Sequence, residues 1–200
     1  FKVPCVIVTT SAENWSMEEL SSVAIDDEKA GETIVAYLIE HGHTKIAEIG
    51  ANLELSQTAI LRHNGYLNSF KKHGITPDER YYERARFSYD SAYRAMKKLL
   101  EKNIEITAVY AISDVMAIGA IRAILDKGLR VPEDISITGF DGSTLAEYYN
   151  PKIVSIRQPH KDMAARSVEL LFSMIDLHKG SCHEIIPFEL TEGESVARID

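Results

Sequence analysis

The chain has 200 residues, of which 45% are hydrophobic, and this fraction is sufficient for a folded core. Its 30 acidic residues outnumber 22 lysines and arginines, which argues against nucleic-acid binding by this stretch because such binding needs a basic surface. No apolar run is long enough for a membrane helix, and the two distant cysteines, Cys5 and Cys182, exclude a zinc knuckle or a Cys-x-x-Cys redox pair.

Short apolar runs alternate along the chain with segments of helical periodicity. In the first half, this pattern predicts strands at residues 3–8, 22–25 and 45–50 and helices at residues 26–40 and 57–73. The polar residues 9–21 are predicted to form a loop. The first helix begins with Asp-Asp-Glu, whose negative charges suit a helix N-terminus.

The second half continues the alternation, with predicted strands at residues 81–87, 108–112, 135–140, 153–156 and 184–190. The predicted helices between them span residues 91–102, 115–127 and 162–177. Strands that alternate with helices of this length are typical of βαβ units, and their continuously apolar composition indicates sheets covered on both faces. The sequence therefore predicts an α/β fold with parallel sheets.

Small polar clusters follow two of the predicted strands. Ser113 and Asp114 come directly after the strand at 108–112, and Asp141 comes directly after the strand at 135–140. Ligands of open parallel sheets bind beyond the carboxyl ends of the strands, so we expect these side chains to share one rim. Asp114 is expected to cap the helix that follows it, which leaves Ser113 open to a ligand contact.

Asp141 has two interpretations. It is either a turn residue before Gly142 or a carboxylate that accepts hydrogen bonds from two ligand hydroxyls. No segment of good helical pattern follows it, so helix capping explains Asp141 less well than it explains Asp114. We favour the ligand contact.

Two further side chains are placed near the same rim by the predicted elements. Arg62 lies one turn into the helix that follows the 45–50 strand, where its guanidinium either holds two ligand oxygens or is solvated. Phe87 lies between a strand and a helix, where it either stacks on the apolar face of a sugar or fills the core.

Four segments carry a resemblance to a known family: YLIEHGHTKIAEIG, RHNGYLNSFKKHGI, AISDVMAIGAIRAILDKGLRVPEDISITGFDG and NPKIVSIRQP. Together they resemble the effector-binding core of the LacI/GalR family of bacterial transcription repressors, in the family's order and over nearly the whole chain. The resemblance implies two Rossmann-like lobes of the periplasmic binding protein type I. In that family the effector binds between the lobes, and their rotation changes the DNA affinity of a dimer.

The resemblance also assigns residues to the effector site. Arg62, Ser113, Asp141 and Phe87 fall on its usual effector-contacting positions, and Thr9 and His160 match further cleft positions. An acid is frequent at the position of Thr9, so threonine weakens any assignment of a particular sugar. Ile118, Ile121 and Tyr149 correspond to places where family dimers touch, although ordinary helix packing explains them as well.

The resemblance divides the chain into two lobes. Residues 1–43 and 159–179 are expected to be part of an N-terminal lobe, and residues 44–158 and 180–200 to form a C-terminal lobe. We expect the N-terminal lobe to be incomplete, with the DNA-binding head and the hinge helix outside these residues. Such a lobe would expose apolar surface, which predicts self-association.

The predicted function is that of a ligand-sensing domain in a cytoplasmic transcriptional repressor. Its effector is expected to be a sugar or sugar phosphate. We expect it to form a homodimer and to contact DNA only through the missing head. An extracytoplasmic sugar-binding protein of a transport system is the alternative. Nucleotide-binding, zinc-protease and hydrolase motifs are absent, so we expect no enzyme, no cofactor and no metal site.

Overall fold

The computed structural model describes residues 3–12, 20–176 and 180–199. The strands are β1 (Cys5–Val8), β2 (Leu20–Ala24), β3 (Ile46–Gly50), β4 (Tyr82–Arg84), β5 (Ala108–Ala111), β6 (Ser136–Asp141), β7 (Val154–Arg157), β8 (His183–Ile185) and β9 (Glu189–Thr191). The helices are α1 (Asp27–Glu40), α2 (Gln57–Lys72), α3 (Tyr89–Glu101), α4 (Asp114–Asp126), α5 (Thr144–Tyr148) and α6 (His160–Asp176), and a 3-10 turn spans Glu79–Tyr81. Most of the predicted loop at 9–21 lies outside the described residues.

Some predicted elements differ from the structure. The strand predicted at 184–190 is two strands, β8 and β9, which belong to different sheets. Pro187 lies between them and has no amide hydrogen to donate to a sheet, so the run is broken there. The short helix α5 follows Asp141 where no helix was expected, because Ser143 caps it and five residues are too few to show a period.

The chain divides into two compact units. The smaller unit comprises Phe1–Asp26 and Gln158–Phe188, and the larger unit comprises Asp27–Arg157 and Glu189–Asp200. The family resemblance placed the first division after residue 43, whereas the structure assigns α1 to the larger unit. The reason is that α1 packs closely along α2: a Cβ atom on Gly65 would lie 2.3 Å from the carbonyl oxygen of Glu28.

The larger unit is a doubly wound α/β structure. Its sheet has the order β4-β3-β5-β6-β7-β9, in which every neighbouring pair is parallel except β7 and β9. The helices α1 and α2 pack together, as do α3 and α4. The chain runs from β3 outwards to the edge strand β4 and then back to β5 on the other side of β3, so right-handed crossovers put the two helix pairs on opposite faces of the sheet. The strand order changes direction between β3 and β5, which is where ligands of such sheets bind.

The smaller unit is built on a parallel sheet of order β1-β2-β8, against which α6 packs. Two buried serines of β2 form hydrogen bonds with neighbouring segments of this unit. Ser22 Oγ accepts a hydrogen bond from the Ala12 amide at 3.0 Å and lies 2.8 Å from His183 Nδ1, while Ser21 Oγ accepts one from the Cys182 amide at 3.0 Å. The predicted α/β fold with parallel sheets is confirmed. Among the described residues, no helix is both long and apolar enough to cross a lipid bilayer.

One side of α6 is apolar and exposed. Val168, Phe172 and Ile175 follow one another at helical spacing, and Phe172 has 59% of its surface accessible. Exposed apolar residues that are grouped in this way form a surface that favours association, whereas single exposed apolar residues are common on any protein. We therefore expect the predicted self-association to involve this stripe of Val168, Phe172 and Ile175.

We expect Phe172→Glu to reduce self-association of the 200-residue chain, since a charge in the middle of the stripe opposes burial of its neighbours. Light scattering across a concentration series measures the effect. Gln57→Glu, an exposed position on α2 of the larger unit, adds the same charge and should leave the association unchanged. Equal mass averages for wild type and Phe172→Glu at every concentration would contradict the prediction.

Candidate effector site

The centre of the site is the guanidinium of Arg62, which is buried against three elements. Its Nε donates to Asp27 Oδ1 at 2.8 Å, and one terminal nitrogen donates to the carbonyl oxygen of Ile112 at 2.6 Å. The Cζ atom lies 3.5 Å from the centroid of the Phe140 ring, a cation–π arrangement. The guanidinium is therefore fixed in one orientation.

The fold explains why Arg62 occupies this place. It lies in α2, which follows β3, and Ile112 comes directly after β5, so the contact between them bridges the point where strand order changes direction. Asp27 opens α1 and reaches Arg62 because α1 and α2 cross closely, with glycines at Gly31 and Gly65. A buried charge requires such a partner, because an unpaired one would be strongly destabilising.

Asp141 ends β6 and joins the same cluster. Its Oδ1 lies 3.7 Å from a terminal nitrogen of Arg62, and its side chain keeps 33% of its surface accessible. The backbone of Asp141 has φ 111°, a conformation that L-residues other than glycine rarely adopt. Local strain of this kind costs about 1 kcal/mol and is frequent at ligand-binding positions. Arg62 and Asp141 thus form an ion pair at the carboxyl end of the sheet, in which Arg62 is buried and the carboxylate of Asp141 is partly accessible.

Ser113, rather than Asp114, caps the helix α4. Ser113 is the N-cap of α4, with its Oγ accepting a hydrogen bond from the Met116 amide at 3.3 Å, and it is buried. Asp114 accepts hydrogen bonds from the Ser143 amide at 2.7 Å and from Ser155 Oγ at 2.6 Å. Burial raises the pKa of Asp114, and these two hydrogen bonds partly oppose that rise.

The expectation that Asp114 is the cap is therefore wrong. Asp114 instead links the loop that follows Asp141, through Ser143, to Ser155 of β7. The capping hydroxyl of Ser113 already has a partner, so a ligand contact by Ser113 remains a prediction. A serine directly before an aspartate at a helix start suits either assignment, because both side chains accept the same hydrogen bond.

Phe87 lies in the turn after β4, at the carboxyl end of that strand. It is 50% exposed, which rules out the interpretation that it fills the core. Because β4 is parallel to β3, this turn is at the same end of the sheet as the residues that follow β3, β5 and β6. An exposed ring at this end can stack on an apolar ligand face, and that contact remains a prediction.

Comparison with known proteins gives the family. Residues 35–196 match the family described as the periplasmic binding protein-like domain. The chain belongs to this family. The HTH-type transcriptional regulator MalR of Clostridium butyricum is 39% identical over 199 residues, which cover 99% of this chain and 59% of MalR. The chain thus spans less than two thirds of this relative.

Two solved structures show the same fold. A complex of the transcriptional regulator CelR with cellobiose has a TM-score of 0.87 and 28% identity, covering 96% of this chain and 65% of that one. A LacI family transcriptional regulator from Enterococcus faecium with bound ribose has a TM-score of 0.87 and 26% identity, covering 98% and 72%. The predicted resemblance of this periplasmic binding protein-like domain to the LacI/GalR effector-binding core is confirmed.

Two predicted effector residues belong to the smaller unit of this periplasmic binding protein-like domain. Thr9 directly follows β1 with φ 73°, which is unusual for a β-branched residue, and its amide donates to the carbonyl oxygen of Val23 at 2.9 Å. His160 is exposed at the first turn of α6. Their effector contacts remain predictions, and the strained backbone at Thr9 is of the same kind as that at Asp141.

One of the predicted dimer contacts needs correction. Ile121 is fully buried in the larger unit, so its side chain is part of the core and unavailable to a second copy. Ile118 and Tyr149 are half-buried and remain predicted contacts. The exposed apolar residues on the same elements are Leu125 of α4 and Leu145 and Tyr148 of α5.

The main residue that sequence reasoning missed at the site is Asp27. It was assigned to the helix dipole because it belongs to an acidic first turn, yet it is buried and paired with Arg62. A partial signal exists in the sequence, since Asp27 is one of three consecutive acids and the dipole needs only one of them.

Proposed function

We propose that this chain is the effector-sensing domain of a transcriptional regulator and that its effector is a sugar or sugar phosphate. The proposal rests on the partly accessible carboxylate of Asp141, which lies 3.7 Å from the buried guanidinium of Arg62 at the carboxyl end of a doubly wound sheet. MalR supports the regulatory role, and the cellobiose and ribose complexes of related regulators support a sugar.

The chemistry of the pair fits a polyhydroxylated ligand. A carboxylate accepts hydrogen bonds from two hydroxyls at once, and charge-assisted bonds of this kind are stronger than neutral ones. Arg62 is already oriented, so little entropy is lost when a ligand oxygen or phosphate approaches it. The exposed ring of Phe87 would cover the apolar face of a sugar.

The sensing step requires no covalent chemistry. A ligand shifts a protein between conformations only to the extent that it binds one of them better. We infer that DNA binding resides in another part of a longer protein, because acidic residues outnumber basic ones in this chain. The proposal also holds that the protein acts as a dimer in the cytoplasm.

The proposal predicts that Asp141→Asn weakens effector binding by about tenfold or more, because an amide accepts fewer hydrogen bonds than a carboxylate and carries no charge. Asparagine tolerates positive φ, so the backbone should keep its conformation. A thermal-shift screen of ribose, cellobiose and their phosphorylated forms identifies a ligand, and calorimetry with that ligand measures the change.

Asp126→Asn is the matched control, since Asp126 is an exposed carboxylate of α4 that pairs with Arg122. It should bind the ligand as wild type does. Unchanged affinity in Asp141→Asn would show that the rim assignment is wrong, and the absence of any sugar ligand for the intact protein would refute the sugar class.

A further inference from the structure

A cavity lies beside α2 and the edge strand β4. Its volume is about 540 Å³, which is within the range of small-molecule sites, and its wall is mostly aromatic and aliphatic. Three rings line it, those of His63, Tyr66 and Tyr82, together with Leu67 and the acidic pair Asp78 and Glu79. None of these residues is among the predicted effector contacts.

The three rings are held in place by their own contacts. The hydroxyl of Tyr66 donates to the Ile46 carbonyl at 2.9 Å, and that of Tyr82 donates to the Ala51 carbonyl at 2.7 Å. The ring of Tyr82 meets that of His63 edge-on at a centroid distance of 5.2 Å. Gly50 leaves space for it, since a Cβ there would lie 2.6 Å from Tyr82 Cε2. The aromatic wall is therefore preorganised.

A buried carboxyl group orients His63. Glu48 is fully enclosed in β3, and its Oε2 lies 2.7 Å from His63 Nδ1, while Oε1 has no hydrogen-bond partner among the described residues. Burial raises the pKa of Glu48. Burial opposes the charged form of His63, but the hydrogen bond and charge of Glu48 outweigh it, so the pKa of His63 is raised.

This pair leaves Nε2 of His63 as the ring nitrogen available to a molecule in the cavity. Burying a glutamate in the strand sequence IAEIG lowers the stability of the fold. Its position behind a cavity-lining histidine resembles the way in which enzymes and receptors fix the orientation and the tautomer of a histidine ring. A hydroxyl or other polar group of a ligand can hydrogen-bond to Nε2.

The acids favour a cationic ligand over an anionic one. Asp78 is paired with Arg80 at 2.7 Å, whereas the exposed Glu79 makes no ion pair within the described part of the chain. The net charge of −8 adds a background potential of the same sign. An ammonium group near aromatic faces and a carboxylate is a stable arrangement.

We propose that this cavity is a second ligand site, distinct from the effector rim, for an aromatic amine. The ligand ring lies against the wall formed by Tyr66, Tyr82 and His63, a polar ring substituent hydrogen-bonds to His63 Nε2, and the ammonium lies towards Glu79.

Tyramine and 3-(4-hydroxyphenyl)propionate test the proposal, because they share a phenol and a two-carbon arm and differ in charge. Amide NMR spectra of the labelled chain should shift around residues 63, 66 and 82 with tyramine at millimolar concentration. The propionate should bind at least about tenfold more weakly, and phenethylamine, which lacks the hydroxyl, about fivefold more weakly than tyramine.

Two variants address the site from different sides. Leu67→Trp fills the cavity and should abolish the tyramine shifts, and Glu79→Gln should weaken tyramine binding about threefold to tenfold without touching the core. Glu133→Gln, at another exposed carboxylate, is the matched control and should have no effect. Asp141→Asn should also leave tyramine binding intact, so the proposal for this cavity and the proposal for the effector rim are tested independently.

Three results would overturn the proposal. One is the absence of shifts around the cavity with tyramine in the wild-type chain. Another is equal affinity for tyramine and the propionate, which would refute the cationic class. The third is loss of tyramine binding in Asp141→Asn, which would place the ligand at the rim.

Discussion

Replacing Arg62 by alanine is expected to lower the free energy of unfolding by about 4 kcal/mol. The substitution leaves the buried carboxylate of Asp27 without the opposite charge that lies 2.8 Å away. It also removes the donor to the Ile112 carbonyl and the stacking on Phe140. Urea unfolding followed by circular dichroism measures the change, provided that the slope with urea stays constant.

A surface pair provides the matched control. Arg122 and Asp126 are 2.8 Å apart on the exposed side of α4, and Arg122→Ala should cost less than about 0.5 kcal/mol. The double variant Asp27→Asn with Arg62→Met should be less destabilised than the sum of its single variants, because neither buried charge remains. An effect of Arg62→Ala as small as that of Arg122→Ala would mean that the buried pair contributes little.

This result separates two roles that meet at the site. If Arg62 supports the junction of α1, α2 and the sheet, its loss affects ligand binding through folding as well as through direct contact. Asp141 lies 3.7 Å from Arg62, which is longer than a hydrogen bond, and its side chain keeps 33% of its surface accessible. Asp141 is therefore the residue at which effector binding is best tested.

The approximate place of the site could be predicted from sequence because the rule involved depends only on strand direction. Arg62 and Asp141 follow different strands, and parallel strands deliver their carboxyl ends to one edge, where the structure brings the two side chains together. The repeated change between apolar runs and helical periodicity likewise locates the strands and helices to within a few residues.

Other features depend on contacts between distant parts of the chain and carry little local signal. Ser113 and Asp114 are both good caps, and only the positions of Ser143 and Ser155 decide which one caps α4. The periodicity of α4 shows one apolar face, but it does not reveal that Ile121 lies within the core. Pro187 was the available signal that the final strand is broken.

Buried acids were the least visible features. Glu48 stands within an apolar strand, and its charge could have indicated a partner, yet His63 is fifteen positions away on another element. Asp27 is hidden among neighbouring acids in the same way, and Arg62 is thirty-five positions away. Sequence patterns identify such residues as unusual, whereas their partners become visible only in three dimensions.

Gly65→Ala is expected to destabilise the larger unit by about 3 kcal/mol, although alanine favours a helix by about 1 kcal/mol over glycine. The added Cβ would lie 2.3 Å from the Glu28 carbonyl oxygen and 2.6 Å from the Glu32 amide nitrogen. Both atoms belong to the backbone of α1, which cannot move aside as a side chain could, so the two helices must separate and the contact of Asp27 with Arg62 must lengthen.

Asn64→Ala is the control for helix propensity, since it places alanine at the neighbouring, half-buried position of α2, and its effect should be within about 0.5 kcal/mol. The difference between the free energies of urea unfolding of the two variants measures the contribution of the close packing of α1 against α2. Because the separated helices also displace Arg62, Gly65→Ala should lose effector affinity in the remaining folded protein, whereas Asn64→Ala should retain it. A stabilised Gly65→Ala would show that α1 and α2 tolerate a wider crossing, and the close approach would then not be what positions Arg62.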